Sequence, residues 1–130
     1  MKLATAVDSM KDDIIKATQE LVRIRSIEGN PEPGAPFGSE IRRCLDKTLD
    51  ICRKLGLKTE NFDGYAGHAE YGEGDEIVGI LVHLDIVPEG SGWSHDPYGG
   101  EIADGRIYGR GTIDDKGPAA AAIYALKAVK

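Results

Sequence analysis

ILVHLDIVP, residues 80–88, sets an imidazole and a carboxylate two positions apart inside an apolar run. A short apolar run bounded by Gly79 and Pro88 reads as a buried strand, yet ionisable groups are costly to bury unless they are paired or ligate something. In a strand, residues i and i+2 project to the same face. His83 and Asp85 are therefore expected side by side near the end of a central strand spanning Glu76 to Val87. The carboxyl end of a strand in an open α/β sheet is where ligand crevices form. A metal-bound imidazole commonly donates its second N–H to a carboxylate, so H-x-D supplies either such a pair or two separate ligands. A chance His and Asp at a strand end is the plain alternative.

Working outward, residues 9–25 show helical spacing, with Met10, Ile14, Ala17, Leu21 and Ile24 on one face and Ile15 and Val22 widening it. Ser9 and Asp12 have the spacing of an N-terminal capping pair. NPEPGAPFG (30–38) is a Pro/Gly loop. A second helix is predicted from Ser39 as its cap, with Ile41, Leu45, Thr48, Cys52 and Leu55 on its face and Gly56 just past its end. The period then falls to two: LKTENF (57–62) and HAEY (68–71) read as strands around a DGYAG turn. EIADGRIYGRG (101–111) reads as a hairpin turning at Asp104-Gly105. A last helix starts at Pro118, and AAAAIYALKAVK (119–130) is apolar nearly all round, which predicts burial on most sides. Helices, then β-pairs, then strand–loop–helix indicate an α/β sandwich.

The 130 residues suit one domain with a core, at 41% hydrophobic, 29% charged and 6% aromatic residues. A net charge of −6 argues against nucleic acid or an anionic membrane as the main partner. No run approaches the ~18 apolar residues of a membrane span, and the N-terminus shows no sustained apolar signal segment, so a cytoplasmic location is expected. Cys44 and Cys52, eight apart on one helix, would lie roughly 12 Å apart along its axis at ~1.5 Å per residue. A disulfide needs Cα atoms within ~7 Å. Both are read as buried, reduced thiols.

A second cluster, GRGTIDDKGP (109–118), places glycines, adjacent acids and a lysine directly before the last helix. Glycines allow the sharp turns that could aim Asp114 and Asp115 into a cleft. A solvated turn with routine first-turn residues is the alternative. A phosphate loop is disfavoured, because GxxxxGK[ST] is absent and adjacent acids repel phosphate. GILVHLDIVPEGSGW (79–93), DPYGGEI (96–102) and DGRIYGRGTIDDKGP (104–118) together resemble the dinuclear zinc aminoacylase and dipeptidase family, which includes acetylornithine deacetylase, succinyl-diaminopimelate desuccinylase and glutamate carboxypeptidase relatives. GWSHDPYG (92–99) and NFDGYAGHAEYGEG (61–74) are most similar to the PepV-type bacterial dipeptidases. The resemblance is dense over 57–130 and looser before it.

That resemblance implies that residues 1–130 are the N-terminal portion of a zinc-peptidase-like α/β/α sandwich catalytic domain with a mixed β-sheet. It makes His83 a metal ligand, Asp85 the catalytic aspartate that orients His83, and Asp114 the carboxylate bridging two Zn2+ ions, with Mn2+ or Co2+ as alternatives. It also implies a cis peptide between Asp114 and Asp115. Two metals polarise the scissile carbonyl and activate water, and an apolar strand flank would keep the site dry. The family's Glu-Glu pair, further acidic ligand, late histidine and lid domain have no counterpart here. The chain is thus expected to be the front part of a longer enzyme or a gene fragment, inactive alone. Dimerisation would run through the missing lid.

The expected function is metal-dependent hydrolysis of dipeptides or short peptides. An N-acyl amino acid amidohydrolase with the same site is a second enzyme reading, and a non-catalytic fragment or interaction module is the reading from another class. Among other residues, His68 is read as a surface or edge side chain beside Glu70, and His95 as a loop residue near the cleft. Trp93 is expected to anchor that loop by packing, and Asp96 to form an Asx turn before Pro97. Arg110 and Lys116 are expected to pair with the acids.

Overall fold

A computed structural model describes residues 2–130. The helix expected over 9–25 is α2 (Lys11–Val22), and a short helix that the sequence reading did not include, α1 (Leu3–Ser9), precedes it, set off by Met10, which leaves helical geometry at φ −102°, ψ 7°. Ser9 does not cap α2. Its Oγ donates back to the Ala6 carbonyl at 2.7 Å, the back-bond available to a serine in a last helical turn. The buried face is the one the spacing indicates. Ala17, Leu21 and Ile24 are enclosed, and Met10 and Ile14 pack against them.

Helix α3 (Ser39–Lys54) begins after Gly38, whose φ of 95° occupies the cap position, so Ser39 enters as the first helical residue rather than the cap. At the far end the Gly56 N–H donates to the Arg53 carbonyl and the Leu57 N–H to that of Cys52. Gly56 makes this closure possible by adopting φ 77°. Cys44 and Cys52 are buried and unbridged. Burial pushes the Cys52 thiol up to about 11. It also raises that of Cys44, against the opposing charge of Lys116.

The strands form two antiparallel ribbons: β1 (Lys58–Phe62) with β2 (Ala66–Glu70), and β3 (Glu101–Ala103) with β4 (Arg106–Tyr108). The second turns through Asp104 (φ 51°) and Gly105 (φ 72°), the paired positive φ values that suit a two-residue hairpin. Helix α4 (Gly117–Val129) carries Pro118 in its first turn and packs on α1 and α2. Only Ala119, Ala120 and Tyr124 of α4 are buried, so its apolar surface is covered on one side, not on most sides as predicted. The main core joins Ala17, Leu21, Ile24, Cys44, Ile51, Ala120 and Tyr124. No described helix is long and apolar enough to cross a membrane.

The largest departure concerns the central strand. Residues 76–87 form no strand, and no mixed sheet exists among the described residues. A strand is defined by a ladder partner, and the four strands present are already paired in ribbons elsewhere. Ile77, Val78 and Leu81 are consequently 90%, 95% and 98% exposed. From 81 to 87 burial nevertheless alternates, with Val82, Leu84 and Ile86 inward and His83 and Asp85 outward. The architecture is thus helices with small antiparallel ribbons, compatible with part of an α/β domain.

Both thiols should resist iodoacetamide in the native protein and react on unfolding, since a pKa near 11 leaves only about one thiolate in a thousand at pH 8. Fast native labelling of Cys52 would contradict its placement. Exposed apolar residues of this kind bind hydrophobic dyes. Substituting Ile77→Lys together with Leu81→Glu should therefore lower ANS fluorescence without shifting the thermal midpoint, as neither side chain is packed.

Candidate functional site

Two irregular segments bring the acids and the imidazole together. The first, residues 82–88, is held through its inward side chains. Leu84 packs on the helical core and Ile86 is buried. The second is the wide turn Thr112–Lys116 between β4 and α4, closed by the Lys116 N–H donating to the Gly111 carbonyl at 2.9 Å. Asp114 sits in that turn in extended conformation, φ −135° and ψ 89°, and its peptide to Asp115 is cis, as expected.

His83 lies between carboxylates. Its Nε2 is 2.8 Å from Asp114 Oδ1, and its Nδ1 is 3.2 Å from both the carbonyl oxygen and Oδ1 of Asp85. The backbone N–H of His83 donates to Asp115 Oδ2 at 3.1 Å. All three sequence-predicted site residues therefore meet, with Asp115 added. Partial burial acts to lower the His83 pKa, but the Asp114 hydrogen bond and the Asp85 charge outweigh it and hold the imidazole above its ordinary value. The cluster is open, not dry. The side chains of His83, Asp85 and Asp114 are 49%, 60% and 81% exposed. The apolar flank expected to exclude water is the unpaired segment before Val82.

An imidazole nitrogen and carboxylate oxygens are the donors that zinc, manganese and cobalt accept, so the cluster fits such an ion in kind. It does not complete a shell. Among the described residues no three His, Cys, Asp or Glu side chains are arranged to hold a metal ion.

The lysine and arginine nearby do not pair with the acids. Lys116 is fully enclosed and donates from Nζ to the Ile24 carbonyl at 2.6 Å; burial lowers its pKa, against the opposing influence of Cys44. Arg110 donates to the Glu89 carbonyl at 3.4 Å, and its guanidinium lies over the Trp93 ring at 5.6 Å. Trp93 anchors its loop partly by a polar contact, its Nε1–H reaching the Glu89 carbonyl at 2.7 Å. Asp96 accepts from the Tyr98 N–H at 2.8 Å, the Asx turn anticipated. His95 stacks on Tyr108 and contacts Glu101 at 2.8 Å. His68 is at the surface, 3.5 Å from Glu70.

Sequence reasoning missed Glu89 and Ser26. The Glu89 carboxylate receives Tyr98 Oη–H at 2.6 Å and Arg25 at 3.2 Å. Tyr98, first among several partners, keeps its pKa low. Nothing in VPEGSG marks this role. Ser26 Oγ donates to the Leu84 carbonyl at 2.6 Å, and its own carbonyl accepts the Ile86 N–H at 3.0 Å. The one available signal was a small polar residue following Ile24 where the apolar helical face ends.

Residues 79–130 match the model of Peptidase family M20/M25/M40. The chain is 53% identical over 122 residues to a putative dipeptidase, YtjP, of Bacillus subtilis, covering 92% of this chain and 26% of that protein. It is 42% identical over 126 residues to the Beta-Ala-Xaa dipeptidase of Lactobacillus delbrueckii subsp. lactis, covering 95% and 27%. A putative dipeptidase of Staphylococcus saprophyticus is 40% identical over 123 residues, covering 93% and 26%. The chain thus spans about a quarter of the length of these relatives. The match agrees with the resemblance carried by the H-x-D and DDKG stretches.

Gly111 joins the two site segments sterically. It adopts φ 86°, and a Cβ there would stand 2.6 Å from Ile86 Cγ2. Gly111→Ala should combine backbone strain with displacement of Ile86, at a cost of about 1–3 kcal/mol. Urea unfolding would measure it; an unchanged midpoint would mean that the two segments do not press on each other.

Proposed function

We propose that this chain, whose residues 79–130 match the model of Peptidase family M20/M25/M40, is the N-terminal part of the catalytic domain of a metal-dependent dipeptidase of that family. The observation that carries this reading is the convergence of His83, Asp85 and Asp114 in one cluster, with the ring nitrogens of His83 directed at different carboxylates. The names of the relatives add the substrate class, dipeptides, and one of them points to β-alanyl dipeptides. The parent domain would be a zinc-peptidase-like α/β/α sandwich with a mixed β-sheet. The work would be done in the cytoplasm, with dimerisation through a lid domain beyond these residues.

In this reading His83 and Asp114 would hold the metal ions, with Asp114 shared between them, while Asp85 orients the His83 ring and strengthens its basicity. Two zinc ions, or manganese or cobalt in their place, would when bound supply Lewis-acid polarisation of the scissile carbonyl and acidification of water. Asp115 contributes by holding the His83 backbone N–H, so the two halves of the cluster are fastened to each other. Moving the water's proton to the leaving amine requires a general base. Neither that base nor the remaining donors are assigned to residues of this chain, which by itself is proposed to be inactive. An N-acyl amino acid substrate would use the same residues.

Zinc titration of the 130-residue chain tests the reading. His83→Ala should weaken binding at least about ten-fold, and Asp85→Asn should weaken it less, as the loss of an orienting rather than a ligating group. Dipeptide turnover by the chain alone should stay at background. Zinc affinity unaltered in His83→Ala would reject His83 as a ligand and the metallopeptidase reading with it.

A further inference from the structure

Neither half of the cluster is carried by a regular strand, yet the halves meet at hydrogen-bonding distance, and the segment holding them in register lies outside both. Residues Ile24, Arg25 and Ser26 follow α2, and each reaches a different part of the site's support. The Ile24 carbonyl accepts Lys116 Nζ at 2.6 Å, immediately after the paired acids. The Arg25 guanidinium meets Glu89 at 3.2 Å, at the start of the loop that follows Val87-Pro88. Ser26 takes Leu84 and Ile86 on either side of Asp85, by side chain and backbone respectively.

We propose that Ser26 is a positioning residue for the His83–Asp85–Asp114 cluster, and that residues 24–26 form the template setting the distance between its two halves. This rests on the metal-site reading above. Ser26 touches none of the three site side chains in the hydrogen bonds described, so it acts through the backbone. Its hydroxyl and carbonyl grip residues 84 and 86, which turns residues 83 and 85 outward. It is fully buried, as is Lys116 on the other side of the template. Water therefore cannot replace either bond at no cost. Ser26 Oγ–H fixes the Leu84 carbonyl, its own carbonyl fixes the Ile86 N–H, and the Ile24 carbonyl fixes the turn that presents Asp114. Removing the hydroxyl releases one end while leaving the other in place, so the gap between His83 Nε2 and Asp114 Oδ1 should become variable.

The test is zinc affinity of the 130-residue chain in four forms, with folding checked by circular dichroism. Ser26→Ala is expected to bind zinc about ten-fold more weakly or worse, the scale seen when a group that orients a ligand is lost. Thr48→Ala removes a comparably buried hydroxyl, which donates to the Cys44 carbonyl at 2.8 Å within α3, and should bind within two-fold of wild type. Ser26→Cys keeps the volume with a weaker donor; it should fall between wild type and Ser26→Ala, and it stands in should Ser26→Ala not fold. Amide exchange supplies a metal-free readout: Ile86 and His83 should exchange at least ten-fold faster in the Ser26 variant, with α3 amides unchanged. Equal loss in Thr48→Ala and Ser26→Ala, or wild-type affinity and exchange in Ser26→Ala and Ser26→Cys, would overturn the proposal. Unaltered affinity in His83→Ala would instead overturn the metal-site reading, and the exchange measurement would still decide whether Ser26 holds residues 83–86.

Discussion

An ammonium group without access to water is the constraint around which the rest is arranged. Lys116 Nζ is enclosed and reaches the Ile24 carbonyl at 2.6 Å. A buried charge is tolerated only where polar atoms receive it, and the Ile24 carbonyl, which also accepts the Ser26 N–H at 2.9 Å, does so here. Once that bond is made, position 116 is tied to the end of α2. The turn preceding it must face residues 82–86, and α4, starting at Gly117, must run back along α1 and α2. The burial of Ala119 and Ala120 follows, since small side chains let two helix backbones approach.

This makes a division of labour within the chain. Helices α2, α3 and α4 supply most of the enclosed apolar side chains, while every charged member of the cluster is carried by irregular backbone. Leu84 belongs to both groups: it packs against the helical core, and its carbonyl is held by Ser26. The outward direction of His83 and Asp85 is therefore a by-product of burying their neighbours.

Much of this was legible in the residue order. The i, i+3, i+4 spacing of Ile14, Ala17, Leu21 and Ile24 identified the buried face of α2, because helix burial is local and periodic. Asp104-Gly105 identified a hairpin turn, because few residues adopt two successive positive φ values. The joint appearance of His83, Asp85 and Asp114 was legible only through family resemblance, since nothing local links position 83 to position 114. Helix α1 escaped notice because it offers little apolar face to read, Ala6 being its one buried residue. The strand over 76–87 was misjudged because apolar alternation reports what a segment can pair with, not whether a partner is present. Ser26 escaped because its partners are backbone groups of residues 84 and 86, and Glu89 because Arg25 and Tyr98 are brought to its carboxylate only by the fold.

Residues 71–82 make no backbone-to-backbone hydrogen bond with the described residues, although they lead directly into the segment proposed to serve a metal. Each such residue retains conformational freedom whose loss costs about 1–2 kcal/mol when it is fixed. A ligand that orders this stretch must offset that entropy from its own binding free energy. Affinity at the cluster is thus set as much by how many residues remain to be quieted as by which atoms touch the ion. Any neighbouring strand that paired with Ile77–Leu81 would tighten the site without contacting it, a purely entropic coupling between sheet completion and ligand binding.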